Sequence, residues 1–262
     1  MDSFIKIENF SKLTPYMTLF WQGILVTVML SLFTVAIGFV LALILSAMRM
    51  SRCYPFAFLG LDKEGHQKES GLGVAIGKFN PLSFLATAYV EILRSTPVIV
   101  QVAIIYYGVF GALIELPNFT FLGFIKFERF FPGVVALGMN SGAYLCEIMR
   151  SGIQSIDQGQ TEAARSLGMS QFQNMRYIIL PQAIKNILPA IANEFVVIIK
   201  ESAITYTIGV QDIMSAVNAV RGATFIIIEP LLVATAIYFC LCFPTSKLIA
   251  YFERRMSRGD KR

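Results

Sequence analysis

Residues 13–48 carry no charged side chain, a run well beyond the ~20 apolar residues that a membrane-spanning helix needs. Long apolar runs of this kind, separated by short polar stretches, recur along the whole chain. They predict five spans, at about 20–48, 84–114, 131–151, 188–208 and 227–249. The fourth is the weakest by hydropathy, because Glu194, Lys200 and Glu201 interrupt it. Between the spans lie a glycine-rich polar loop at 53–80, an aromatic loop at 115–130, and a longer polar segment at 152–187. The prediction is an all-α integral membrane protein with about five transmembrane helices in one domain covering 1–262.

Composition agrees with this pattern. The chain is 55% hydrophobic and 15% charged, with a mean hydropathy of +0.63, too little polar surface for a soluble domain of this size. Asp2, Lys6, Glu8 and Lys12 precede the first apolar run, unlike a cleavable signal peptide, so that run is expected to stay. Cys146, Cys240 and Cys242 fall inside apolar segments, while Cys53 and His66 stand alone. No metal site or disulfide framework is expected.

The 22 basic residues are unevenly placed. Segments 49–83, 150–187 and the tail from Arg254 onward hold fourteen, the opposite side holds five, and Arg94, Lys200 and Lys247 belong to spans or their ends. The positive-inside rule then predicts the N-terminus outside and the C-terminus in the cytoplasm. That asymmetry accounts for the net charge of +5 without a nucleic-acid partner.

Within the cytoplasmic segment 152–187, Glu162-Ala163-Ala164-Arg165-Ser166-Leu167 is strong helix-forming sequence, and Gly168 stands where a helix-terminating C′ residue belongs. Ser170-Gln171-Phe172-Gln173 has the spacing of a capping box and opens a second helix. Pro181 is expected to stop or kink that helix. A rigid helical knob of this kind suits a groove on a partner protein.

The residues Glu162-Ala163-Ala164, Gly168, Ile178 and Leu180-Pro181 stand at the spacing of the EAA signature of ABC-importer permeases, which this segment resembles over its full length. Further stretches resemble permeases for polar amino acids: Glu91-x-x-Arg94-Ser95-Thr96-Pro97-x-x-x-Gln101, Gly142-Ala143-Tyr144-x-x-Glu147-Ile148-x-Arg150, and Asn193-Glu194-Phe195 with Lys200-Glu201-Ser202. Ser95 replaces the usual glycine, Glu201 the commoner aspartate, and Ala203 a hydroxyl residue. The resemblance implies a type I ABC importer permease (MetI-like) fold in a bacterial inner (plasma) membrane. It implies ATPase-coupling roles for Glu162, Ala163, Ala164, Arg165, Gly168 and Pro181. The implied partners are two ABC ATPase subunits, a second permease copy or paralogue, an extracytoplasmic solute-binding protein, membrane lipid and an amino-acid substrate.

Charges inside spans cost about 2.5–3.5 kcal/mol each on insertion scales, so the polar residues there need a reason to persist. Glu194 and Glu201, seven apart, share one helical face, and so do Asn140, Tyr144 and Glu147. A cavity lined this way could meet the ammonium group of an amino acid with carboxylate. The resemblance implies substrate contacts at Glu194, Glu201 and Asn140. Glu91 and Arg94, at i, i+3 near the cytoplasmic end of span two, are expected to pair with each other ahead of touching substrate. Glu147 and Arg150 would brace the coupling loop, and Lys200 would neutralise Glu194 or Glu201.

Other chemistry fails on particular residues. In GLGVAIGKF (71–79), Leu72 and Phe79 occupy the first glycine and the hydroxyl positions of a P-loop, so ATP and magnesium are expected on the partner ATPase. One histidine and no nucleophile elbow argue against an enzyme. The main alternative is a secondary, ion-coupled amino-acid transporter using Glu194 or Glu201. Such transporters often carry two inverted halves, and five spans without an internal repeat do not fit that plan.

Overall fold

A computed structural model describes residues 6–51, 54–55 and 77–257; most of the 53–80 loop, with Cys53 and His66, lies outside the described residues. The helices in order are α1 (Ile7–Leu13), α2 (Met17–Met50), α3 (Pro81–Ser95), α4 (Val98–Ala103), α5 (Phe127–Gln154), α6 (Gln158–Ser166), α7 (Gln171–Asn174), α8 (Leu180–Glu201), α9 (Ile213–Thr224) and α10 (Ile228–Ser257). A small hairpin, β1 (Thr120–Phe121) and β2 (Ile125–Lys126), precedes α5.

The longest seam joins α2 to α5, and small residues let the two backbones approach. Ser31, Thr34, Gly38 and Ala42 recur every three or four positions along the buried face of α2. A Cβ at Gly38 would stand 3.0 Å from Ser141 Oγ, and one at Gly142 only 2.9 Å from Leu41 Cδ2. In a lipid environment, where apolar surface has no preference for protein over acyl chain, close packing of this type drives helix association.

Ile7–Met50 and Ile228–Arg255 are long and apolar enough to cross a membrane, and the α3–α4 pair passes as a third span if counted together. Helices α5, of 28 residues, and α8, of 22, are also long enough, since ~20 residues span the hydrocarbon. Their lower hydropathy comes from polar residues turned inward, including buried Asn140, Ser141 and Glu194.

The expected continuous span 84–114 is broken. Helices α3 and α4 meet at 110°, because Pro97 has no N–H to donate and forces Thr96 to extended angles (φ −115, ψ 147). Gln101 closes the break. Its Nε2 lies 2.8 Å from Leu93 O, 3.0 Å from Thr96 O and 2.8 Å from Thr96 Oγ1. Asn140 Nδ2 in turn donates to Gln101 Oε1 at 2.9 Å and to Leu93 O at 3.3 Å. Beyond α4 the chain widens into a π-helix, Ile104–Phe110.

At the end of the bundle away from α6, two acidic residues hold the short elements. Glu229 accepts from Lys6 N (3.1 Å) and Asn9 Nδ2 (2.8 Å), tying α1 to the start of α10. Asp212 caps α9 by accepting from Ser215 N at 2.8 Å, while its second oxygen is buried without a partner. Burial pushes the Asp212 carboxyl up to about 7. A folded-state value raised above the ordinary carboxylate range means that its stabilising contribution is full below about pH 4 and is lost as pH rises toward 7. Asp212→Asn keeps the capping oxygen and removes the buried charge. It is expected to raise the melting temperature at pH 8 by several degrees, since a shift from the ordinary range to about 7 makes the buried charge cost up to about 4 kcal/mol there, and to leave it unchanged at pH 4. An equal effect at both pH values would contradict this account.

Candidate functional site

The segment 152–187 folds into a projecting two-helix knob. Asp157 caps α6, and Ala164 is buried while Glu162, Ala163 and Arg165 face outward. Helix α6 ends as the sequence predicts: Gly168 adopts φ +76, with Gly168 N donating to Arg165 O and Met169 N to Ala164 O. Ser170 and Gln173 form the reciprocal capping box at the start of α7. Leu167, Phe172 and Tyr177 are 81%, 71% and 64% exposed, a solvent-facing apolar set that calls for a protein partner.

Pro181 differs from expectation in one respect. It does not stop the helix, because α7 passes through a π-helical turn, Met175–Ile179, directly into α8 with Pro181 in its first turn. The π-helical turn just before it is where the ladder adjusts to the missing N–H. The knob is therefore continuous with α8, the helix that carries Glu194 and Glu201. Under the knob lies a cavity of ≈ 510 Å³ lined by Ile153, Gln154, Thr161, Arg165, Asn174 and Met175 among others.

Near the same end, Glu147 of α5 gathers three arginines from three helices. Arg49 Nη1 of α2 donates at 3.0 Å, Arg150 Nε donates at 2.9 and 3.1 Å to the two carboxylate oxygens with Nη2 also engaged, and Arg94 of α3 stands at 3.9 Å. Arg150 also bonds Gln154. These contacts tie α5, the helix that leads into the knob, to α2 and α3. Arg94, expected to pair with Glu91, turns instead to Glu147 and lies over the Tyr144 ring at 5.5 Å.

Higher in α8, Glu194 is buried and Glu201 half-buried, and Glu201 lies close enough to act electrostatically on Glu194. Lys200 exerts its field on Glu201. Asn140 is taken up by the α3–α4 break. Gln101, Glu229 and Asp212 carry structural weight that sequence reasoning did not assign; Gln101 was visible as a polar residue at a fixed distance from Pro97.

Helices long and apolar enough to span a membrane, polar residues buried between them and an exposed helical knob at one end are the features of a membrane transport subunit that docks a partner. Residues 70–258 match the family of binding-protein-dependent transport system inner membrane components, and the chain belongs to that family. It is 33% identical over 252 residues to the arginine transport system permease protein ArtQ of Bacillus subtilis, covering 96% of this chain and 99% of that one. It is 34% identical over 256 residues to the nopaline transport system permease protein NocM of Agrobacterium fabrum, covering 97% and 91%. A solved amino acid ABC transporter with histidines superposes with a TM-score of 0.76 at 37% identity over 96% of this chain and 99% of the other. The MetNI methionine transporter shares the fold, with a TM-score of 0.63 at 17% identity over 92% and 98%. The chain is thus the membrane-spanning permease of an ABC importer, a multi-pass inner-membrane component that works with a separate ATPase.

Proposed function

We propose that this permease carries polar amino acids into the cell, basic ones ahead of neutral ones, with its N-terminus outside and the knob at 152–187 in the cytoplasm. The observation that carries the substrate assignment is the pair of acidic side chains on one face of α8, Glu194 and Glu201, set within the membrane-spanning bundle. Intramembrane carboxylates are costly and mark substrate pathways. A pair of them favours the ammonium group shared by all amino acids and gains further from a cationic side chain. Relatives named for arginine, glutamine and nopaline transport support the same class.

Two copies of this chain, or one copy with a paralogue, would enclose the pathway. Two ATPase subunits would dock on the knobs, and a solute-binding protein would deliver substrate from outside. Closing of the ATPases on ATP would move the knob, and α8 moves with it because no break separates them.

The test is a competition panel. Uptake by the reconstituted transporter is measured with each common amino acid as competitor, and then repeated with Glu194→Gln and Glu201→Gln. Arginine, lysine or histidine is expected to compete best, and each substitution to cut uptake by about tenfold or more, the loss typical of a charge-assisted contact. Uptake left intact by both substitutions would make the carboxylates structural and the substrate assignment wrong.

A further inference from the structure

Helix α10 is longer than a membrane needs. Its 30 residues extend ~45 Å, against a hydrocarbon thickness of ~30 Å. The last span predicted from the sequence, 227–249, stops about two turns before the helix does. Lys247 therefore stands at the edge of the hydrocarbon, and Arg254 and Arg255 lie beyond it, at the level of the lipid headgroups.

One face of this end has no protein against it. Phe239, Phe243, Lys247, Tyr251 and Arg254 follow one another at intervals of three or four residues, so they share one side of the helix, and all five are exposed. The Phe239 and Phe243 rings stack with centroids 5.1 Å apart, and Lys247 Nζ lies over the Phe243 ring at 5.3 Å. The other side of α10 is the one that packs: Ser246, Ala250 and Glu253 line a groove against Asn186 and Asn193 of α8. Glu253, the one acidic residue between Lys247 and Ser257, is thus turned toward the protein while the cations are turned away from it.

Lys247, Arg254 and Arg255 have no ion pair or hydrogen bond among the described residues. In the sequence Arg258, Lys261 and Arg262 follow, with Asp260 as the one acid among them. The positive-inside rule accounts for the sign of this tail. It does not account for aromatic rings and cations sharing one unpartnered face. Rings at the hydrocarbon edge with cations just outside it match the two layers of a leaflet, acyl chain first and phosphate next.

We infer that this face of α10 binds the headgroup phosphate of an anionic phospholipid, with Lys247 and Arg254 as its principal cations and Phe239 and Phe243 against its acyl chains. It rests on the membrane placement of α10 and is independent of the substrate carried. Lys247 supplies a point charge and Arg254 a fork of donors, and both suit phosphate. Each cation held near an anionic surface is worth about fivefold in affinity.

The experiment uses the complete permease–ATPase complex, solubilised and stripped of lipid. Phosphatidylglycerol and phosphatidylcholine are added together in equal amounts, and the lipid retained is counted by native mass spectrometry. The wild-type complex is expected to retain phosphatidylglycerol about tenfold over phosphatidylcholine. Lys247→Gln combined with Arg254→Gln is expected to bring the two within about twofold; both positions are on the surface, so the fold is kept. Lys247→Arg, which keeps the charge, is expected to leave the preference unchanged. Equal retention of the two lipids by the wild type, or a preference that survives the double variant, overturns the inference. Loss of the ATPase from the double variant with the lipid preference intact also overturns it, and assigns the cations to the ATPase.

Discussion

Gly168→Trp is expected to abolish coupled uptake while the protein still folds and inserts. A Cβ at Gly168 meets nothing within 4 Å, so the chain itself offers no clash. The backbone there is left-handed, at φ +76, which costs a non-glycine residue about 1–2 kcal/mol. That penalty falls on one exposed turn of a knob whose ends are fixed by the Asp157 cap and by the Ser170–Gln173 box. The indole would project from the surface near exposed Leu167 and Phe172, on the face proposed to dock the ATPase. The outcome to measure is the ratio of uptake to ATP hydrolysis in the reconstituted transporter. Gly168→Ala, which carries the strain without the bulk, separates the two causes and is expected to retain most uptake. Coupled transport by the Trp variant at the wild-type ratio would remove Gly168 from the contact surface.

Glu147→Gln is the substitution with the largest expected cost in stability. One carboxylate neutralises guanidinium groups from α2, α3 and α5; without it three positive charges converge, offset only by the more distant field of Glu91 on Arg150. Removing one member of a buried ion cluster costs about 3–5 kcal/mol. Arg94 and Arg150 side chains are 34% and 40% exposed here, so water screens part of the repulsion and about 1–3 kcal/mol is expected. The reading is the melting temperature of the solubilised complex. Adding Arg49→Gln to Glu147→Gln should recover part of the loss, because the two sites couple through a direct 3.0 Å contact. Equal melting temperatures for wild type and Glu147→Gln would mean that the cluster holds nothing together.

What was legible in the sequence was local. Gly168 and Ser170 announce a helix end and a helix start through their own backbone chemistry, and both are found in those roles. The break at Pro97 was visible as a proline but hidden by hydropathy, because Val98–Phe110 is as apolar as a continuing span. Its stability comes from Gln101 and Asn140, 39 residues apart, a pairing that only the folded bundle reveals. For the same reason Arg94 was assigned to Glu91, its neighbour on the helix, and not to Glu147, its neighbour in space. Glu229 lies inside the predicted last span, 227–249; its hydrogen bonds to Lys6 and Asn9, more than 200 residues away, tie α1 to the start of α10 and are likewise visible only in the folded chain.

The central claim is that ATP hydrolysis on a partner chain, relayed through the knob at 152–187, drives import through this bundle. The direct test is substrate accumulation in proteoliposomes holding the permease and its ATPase, with the binding protein added at the outer face. Accumulation is expected only when ATP is available to the ATPase, and with no ion gradient imposed. Accumulation driven by a proton or sodium gradient, without ATP or the ATPase, would contradict the account and make Glu194 and Glu201 candidates for an ion site instead.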